Sequence, residues 1–392
     1  MTSTGAGTVS ITDLKPWFHQ HLLRDILPRW LESAVDPSGF LHPGLDRRWQ
    51  RTGRSEATLV SQCRLIYNFA VGWRQAGIGA YREAVRLGAS FLVAHFRDRE
   101  LGGWHFAVDA QGDPVDRRRD AYGYAFCIFG LAHASAALAD RSLHQLALDT
   151  LDELFARFAD DRGGLVPQLD PDFTNPPPGR SQNPLMHLFE SHLALIEHHG
   201  PDPMVMASAN RLADFVHRIA GHSALGILPE VYDDRWQPLP REKGGRMDLG
   251  HAMEWAFLLS RGVELGLSAE WLPVASALLQ RGLEVGQDPA GGLHSNQAPE
   301  GDILPGRKGW WQQAEAIRTL VHFAQTHDRA DLEPLVCLNL DFARRTFIDP
   351  EFGGWYNHEL GPDATDAERR KGDVWKVDYH VVGMCDEALR VM

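Results

Sequence analysis

His251 and Glu254 stand three residues apart in Gly250-His251-Ala-Met-Glu254-Trp255, on one face of the first turn of an otherwise apolar helical stretch. Polar groups lose water when such a helix is buried, so a His-Glu pair at its start suggests a task. Comparable polar sets recur along the chain: Arg64; Tyr122; Asn183 with His187 and Glu190; Trp310 and Trp311 with Glu315; Trp375 with His380. Their chemistry converges on one ligand class. Indole faces stack on the C–H side of a pyranose, while Arg, Asn, Glu and His hydrogen-bond its hydroxyls. Imidazole moves protons near neutral pH, and a guanidinium steadies negative charge on oxygen.

The elements that must position these residues follow a repeat. A polar turn, a glycine and then an apolar residue recur in Asp36-Pro-Ser-Gly39-Phe40, Glu100-Leu-Gly-Gly103-Trp104, Asp161-Arg-Gly-Gly164-Leu165, Leu225-Gly226-Ile-Leu228, Asp288-Pro-Ala-Gly-Gly292-Leu293 and Glu351-Phe-Gly-Gly354-Trp355. The glycines are 64, 61, 62, 66 and 62 residues apart, which predicts six repeats. An amphipathic helix precedes each mark: 17–33, 84–97, 143–159, 207–219, 272–285 and 335–347. A more apolar helix follows, starting near Leu59, Tyr122, Pro184, His251, Gln312 and Tyr379. A helix with one apolar stripe belongs outside, and one apolar nearly all round belongs inside. The pattern predicts an all-α fold, an (α/α)6 barrel in residues 15–392, with short strands around 103–108 and 354–358. Residues 1–14 are expected to be a flexible N-terminal segment. The sugar-facing residues sit near the inner helix starts, and His187, His251 and His380 lie one and then about two repeats apart. In a closed ring they meet at one mouth.

Composition narrows the partners. The 392 residues carry a net charge of −13, which argues against nucleic acid and anionic membranes. The one basic run, Arg117–Arg119, reads as a solvated loop. No apolar run is taken as long enough to cross a bilayer. No secretory leader is evident, the four cysteines form no Cys-x-x-Cys, and a reducing cytoplasm is expected. No metal or other cofactor is expected: no His-x3-His or His-Glu-x-x-His places two ligands on one turn, and the adjacent His198 and His199 diverge. The chain is expected to be a monomer or homodimer.

Four ordered segments resemble the N-acylglucosamine 2-epimerase superfamily: Asn183-Pro-Leu-Met-His187-Leu-Phe-Glu190, Gly250-His251-Ala-Met-Glu254-Trp255, Lys308-Gly-Trp310-Trp311-Gln-Gln-Ala-Glu315 and Trp375-Lys-Val-Asp-Tyr379-His380. The resemblance spans about residues 15–392 and implies the same barrel and a monosaccharide site. Asp378-Tyr-His380-Val-Val-Gly383 resembles the aldose–ketose isomerase branch more than the Pro-Tyr-His-Asn of cellobiose epimerases. It implies His380 as the base, His251 as the acid oriented by Glu254, and Arg64 on the developing enediolate. Tyr122, Asn183, His187, Glu190, Trp310, Trp311, Glu315 and Trp375 would hold hydroxyls or ring faces. Mannose isomerases tend to carry Arg-Pro-Tyr-Gly ahead of Gly-His; here Arg241-Glu-Lys-Gly-Gly-Arg246 stands there, and Arg241 is assigned to the site, with Arg246 as its alternative. Sugar 2-epimerisation remains open beside isomerisation. So does glycoside hydrolysis, for which Glu254 and Glu315 would be the paired carboxylates.

Overall fold

The computed structural model describes residues 10–53, 56–223 and 225–392. Among these residues twelve long helices alternate between an outer and an inner ring. The outer helices are α1 (residues 15–34), α3 (residues 79–96), α5 (Arg141–Phe158), α7 (Pro203–Ala220), α9 (Trp271–Gly286) and α11 (Glu333–Thr346). The inner helices are α2 (Leu59–Ala76), α4 (Ala121–Leu138), α6 (Asn183–His199), α8 (Leu249–Glu264), α10 (Trp310–Thr326) and α12 (Tyr379–Val391). Each inner start falls within about two residues of its sequence expectation. Most of the expected 1–14 segment lies outside the described residues. Of it, Ile11–Leu14 form a 3-10 turn with Ile11 fully buried.

Burial separates the rings as the patterning requires. Outer α5 buries only Ala147, Thr150, Leu151, Leu154 and Phe158, a single stripe at helical spacing. Inner α4 buries residues on every face. Its 18 residues have a mean hydropathy of 1.3, so a stretch with the length and apolarity to cross a bilayer does exist, contrary to the sequence reading. It is 78% buried in the wall of the ring. The ring closes where α12 packs against both α10 and α2.

Each glycine mark makes a tight turn where an outer helix ends. Gly39 has φ +95°, and a Cβ there would lie 2.3 Å from the Leu87 carbonyl oxygen, so no other residue fits. Short antiparallel strands then tie the loop before one inner helix to the loop of a neighbouring repeat. Glu56–Thr58 pairs with Ala107–Asp109, Arg119–Asp120 with Gln168–Leu169, Arg180–Ser181 with Val231–Tyr232, and Met247–Asp248 with Asn296–Gln297. The strand expected at 103–108 is realised as Ala107–Asp109. At 354–358 only isolated bridges form, Ile348 to Trp355 and Gly309 to His358. The Arg117–Arg119 run is only partly solvated. Arg119 is fully buried and donates to Asp98 at 2.7 Å, because the strand it opens turns its side chain inward.

Candidate active site

The starts of all six inner helices contribute to one cup of about 430 Å³. Its wall includes Arg64 from α2, Tyr122 from α4, Asn183 and His187 from α6, His251 from α8, Trp310 and Trp311 from α10, and His380 from α12. Helix N-termini carry partial positive charge, so six of them around one cup favour an oxyanion inside it. Trp375 stands half-exposed on the rim.

Two histidines are held in opposite states. His380 Nδ1 lies 2.7 Å from Glu315 Oε1, which leaves Nε2 for the cup. Burial, with the Arg64 guanidinium close by, holds its pKa well below the ordinary 6.5, so the ring is neutral. His251 Nδ1 lies 2.7 Å from Glu230 Oε1 and 2.9 Å from Gln182 Nε2. Burial would lower this ring too, but Glu230, with Asp248 behind it, outweighs burial and lifts it to about 9. Both rings pack against the same indole, Trp311, with centroids 4.7 Å from His251 and 5.4 Å from His380. A third imidazole, His187, bonds Glu190 through Nδ1 at 3.0 Å, and burial lowers it to about 4.

Arg64 is fixed by three neighbours. Nη1 donates to the Trp375 carbonyl at 2.9 Å, Nη2 donates to the Tyr122 hydroxyl at 2.6 Å, and the guanidinium carbon lies 4.2 Å from the Phe126 ring centroid. Its Nε, a donor, and the Oδ1 of Asn183, an acceptor, are both buried without a protein hydrogen-bond partner.

Four expectations are corrected. Glu254 does not orient His251: Glu230 does, from a loop 21 residues upstream. The Glu254 carboxylate turns into the barrel, fully buried and without a hydrogen-bond partner, and burial next to Glu315 and Glu190 raises its pKa well above normal. Glu190 and Glu315 lie beneath the cup rather than in its wall, each holding a histidine that does face it. Arg241 is exposed on the turn Arg241–Lys243, and Arg246 lines the cup instead. Sequence reasoning also missed Glu230, Asp248, Asn357, Asp373 and Lys376, which complete the wall. All five sit in loops or at a helix cap, where no period marks them.

Two buried groups, His187 with Glu190 and Glu254, and Glu254 with Glu315 and His380, bring ligand-type atoms within 4.8 Å of one another. The sequence reading, which looked for paired ligands on one turn, did not anticipate them. In both, the imidazole Nδ1 is already bonded to a carboxylate, and burial beside Glu315 and Glu190 pushes the Glu254 carboxyl toward its protonated form.

Comparison with known proteins assigns the chain to a family. The pattern described as N-acylglucosamine 2-epimerase (GlcNAc 2-epimerase) matches residues 39–384. The chain belongs to this family. It is 28% identical over 394 residues to the D-mannose isomerase of Marinomonas mediterranea, covering 97% of this chain and 98% of that protein. It is 23% identical over 394 residues to the cellobiose 2-epimerase of Bacteroides fragilis, covering 96% and 98%. A crystal structure of D-mannose isomerase superposes with TM-score 0.89 over 100% of both chains at 23% identity, and has the same barrel. Family membership makes this chain a carbohydrate isomerase or epimerase, and the cup is a cavity that unites His187, His251 and His380.

Proposed function

We propose that the chain interconverts mannose and fructose through a cis-enediol. The observation that carries this reading is the pair of histidines packed on Trp311, His380 bonded to Glu315 and His251 to Glu230, which burial and charge push toward the neutral and the protonated form respectively. A protonated His251 gives its Nε2 proton to the ring oxygen while the anomeric hydroxyl passes its own back to His251 through water, and the pyranose opens. Neutral His380 then removes the C2 proton through Nε2. Glu315 stabilises the imidazolium that forms, and Arg64 faces the negative charge growing on O1 and O2. His380 returns the proton to C1, and the hydroxyl proton passes from O2 to O1, giving the ketose. Tyr122, Asn183 and Arg246 fix hydroxyls, and Trp310 and Trp375 offer ring faces. One base serving both carbons gives isomerisation. The second reading, C2 epimerisation, draws on His187, another neutral imidazole in the same wall. Hydrolysis has less support, because Glu254 and Glu315 lie beneath the cup, not across a bond held in it.

Proton NMR decides between them. With mannose, glucose and cellobiose in EDTA-containing buffer, fructose from mannose is the expected product. Glucose from mannose, or an epimerised disaccharide, would select epimerisation, and loss of turnover with EDTA would overturn a mechanism of proton transfer by side chains alone.

The pH profile gives a second test. Burial lifts Glu315 to about 7, and it must be ionised to accept the His380 Nδ1 proton, so turnover should rise with pH through about 7. His251 must be protonated, so turnover should fall as pH passes about 9. A profile flat from pH 6 to 10 would contradict these assignments.

A further inference from the structure

Beneath the cup, at the other end of the barrel, lies a second cavity of about 300 Å³ whose wall holds four arginines, Arg74, Arg261, Arg318 and Arg390. Three of them pair with acids of that cavity. Arg74 bonds Asp386, Arg261 lies 3.2 Å from Glu197, and Arg390 lies 2.7 Å from Glu387. Arg318 differs: its ion-pair partner is Glu315, at 3.5 Å from Nη1 to Oε2, in the floor of the cup above.

The carboxylate of Glu315 is thus divided. Oε1 faces His380 Nδ1 and Oε2 faces Arg318 as an ion pair, with no hydrogen-bond partner for Oε2. The arginine is held flat in a slot. Its guanidinium carbon lies 3.9 Å from the Phe257 ring centroid. Across from Phe257 lies Gly383, where a Cβ would stand 3.3 Å from both Cζ and Nη1. Gly383 is one turn after His380 on α12, so the helix that carries the base also leaves the room for Arg318.

We propose that Arg318 is a positioning residue: it keeps Glu315 a carboxylate, which keeps the His380 proton on Nδ1 and leaves Nε2 free as the base. This rests on the reading of His380 given above. The groups facing the pair are Tyr67 from α2, His187 and Glu190 from α6, Glu254 from α8, and Tyr379 and His380 from α12. Arg318 is the one permanent cation among them, against three buried carboxyl groups. Without it, Glu315 binds a proton and donates it to His380 Nδ1. The imidazole proton then moves to Nε2, which points a hydrogen at the substrate where a lone pair is needed.

Arg318→Met keeps the side chain's length and removes its charge. The acid limb of the kcat profile should move upward by at least about one pH unit, cutting kcat at pH 7 about fivefold or more, with recovery toward pH 8.5 and KM within about twofold. Arg318→Lys should restore most of the profile. A loss of the same fraction at every pH, or an unshifted acid limb in a folded Arg318→Met protein, would overturn the proposal. If that variant does not fold, Gly383→Ala, which crowds the guanidinium out of its slot, should shift the limb the same way, and an unshifted limb there overturns it too. Nitrogen-15 NMR of His380, assigned by its loss in His380→Ala, reads the tautomer without substrate. At pH 7.5 the proton should sit on Nδ1 in the wild type and on Nε2 in Arg318→Met. A wild type that turns over no sugar would sink the functional reading while leaving this measurement decisive.

Discussion

His380→Ala is expected to lose about 10²–10⁴-fold in kcat on mannose while the protein stays folded, because a positioned general base contributes on that order. The ring lines an open cup, so water fills the space it leaves and no dry cavity forms. Only Glu315 loses a partner, and its pKa of about 7 lets it take up a proton instead of remaining a stranded charge. Circular dichroism and a melting curve close to wild type, with turnover abolished, would agree. A variant keeping more than a tenth of wild-type kcat would remove His380 from its role.

The second large effect is expected at His251. His251→Ala removes the acid that opens the pyranose, and a loss of about 10²-fold or more should follow. Glu230→Gln is the sharper companion. It leaves the imidazole in place but removes the charge that lifts it to about 9. The basic limb of the profile should then fall toward the ordinary histidine value of about 6.5, so that turnover declines where the wild type is at its maximum. A basic limb that stays near 9 in Glu230→Gln would show that another group sets it.

The His251 case also shows where sequence reading stops. Two pairs at i, i+3 look alike in the sequence, His187 with Glu190 and His251 with Glu254. The first is bonded at 3.0 Å, and the second is not bonded at all. Helical spacing makes such a pair able to meet but does not oblige it to. At His251 a loop carboxylate reaches the ring first, and Glu254 is left to the interior beside two other acids. The ring of helix pairs was legible because a spacing of about 64 residues and the contrast between striped and uniformly apolar helices are properties of the chain itself. The convergence of Arg64, Tyr122, Asn183, His187, His251, Trp310, Trp311 and His380 on one mouth then followed from the inner helices running parallel. Glu230, Asp373 and the choice of Arg246 over Arg241 depend on how loops of different repeats pack, which no periodicity encodes. Nor does spacing alone show that Arg318, one turn after Glu315, lines a cavity at the other end of the barrel from the cup.

Incubation with mannose in heavy water, followed by proton NMR, reads the central chemistry most directly. Transfer through one exchangeable imidazole predicts fructose carrying solvent deuterium at C1, with none incorporated by His380→Ala. Glucose labelled at C2, or fructose formed by the wild type with no solvent deuterium at all, would contradict it.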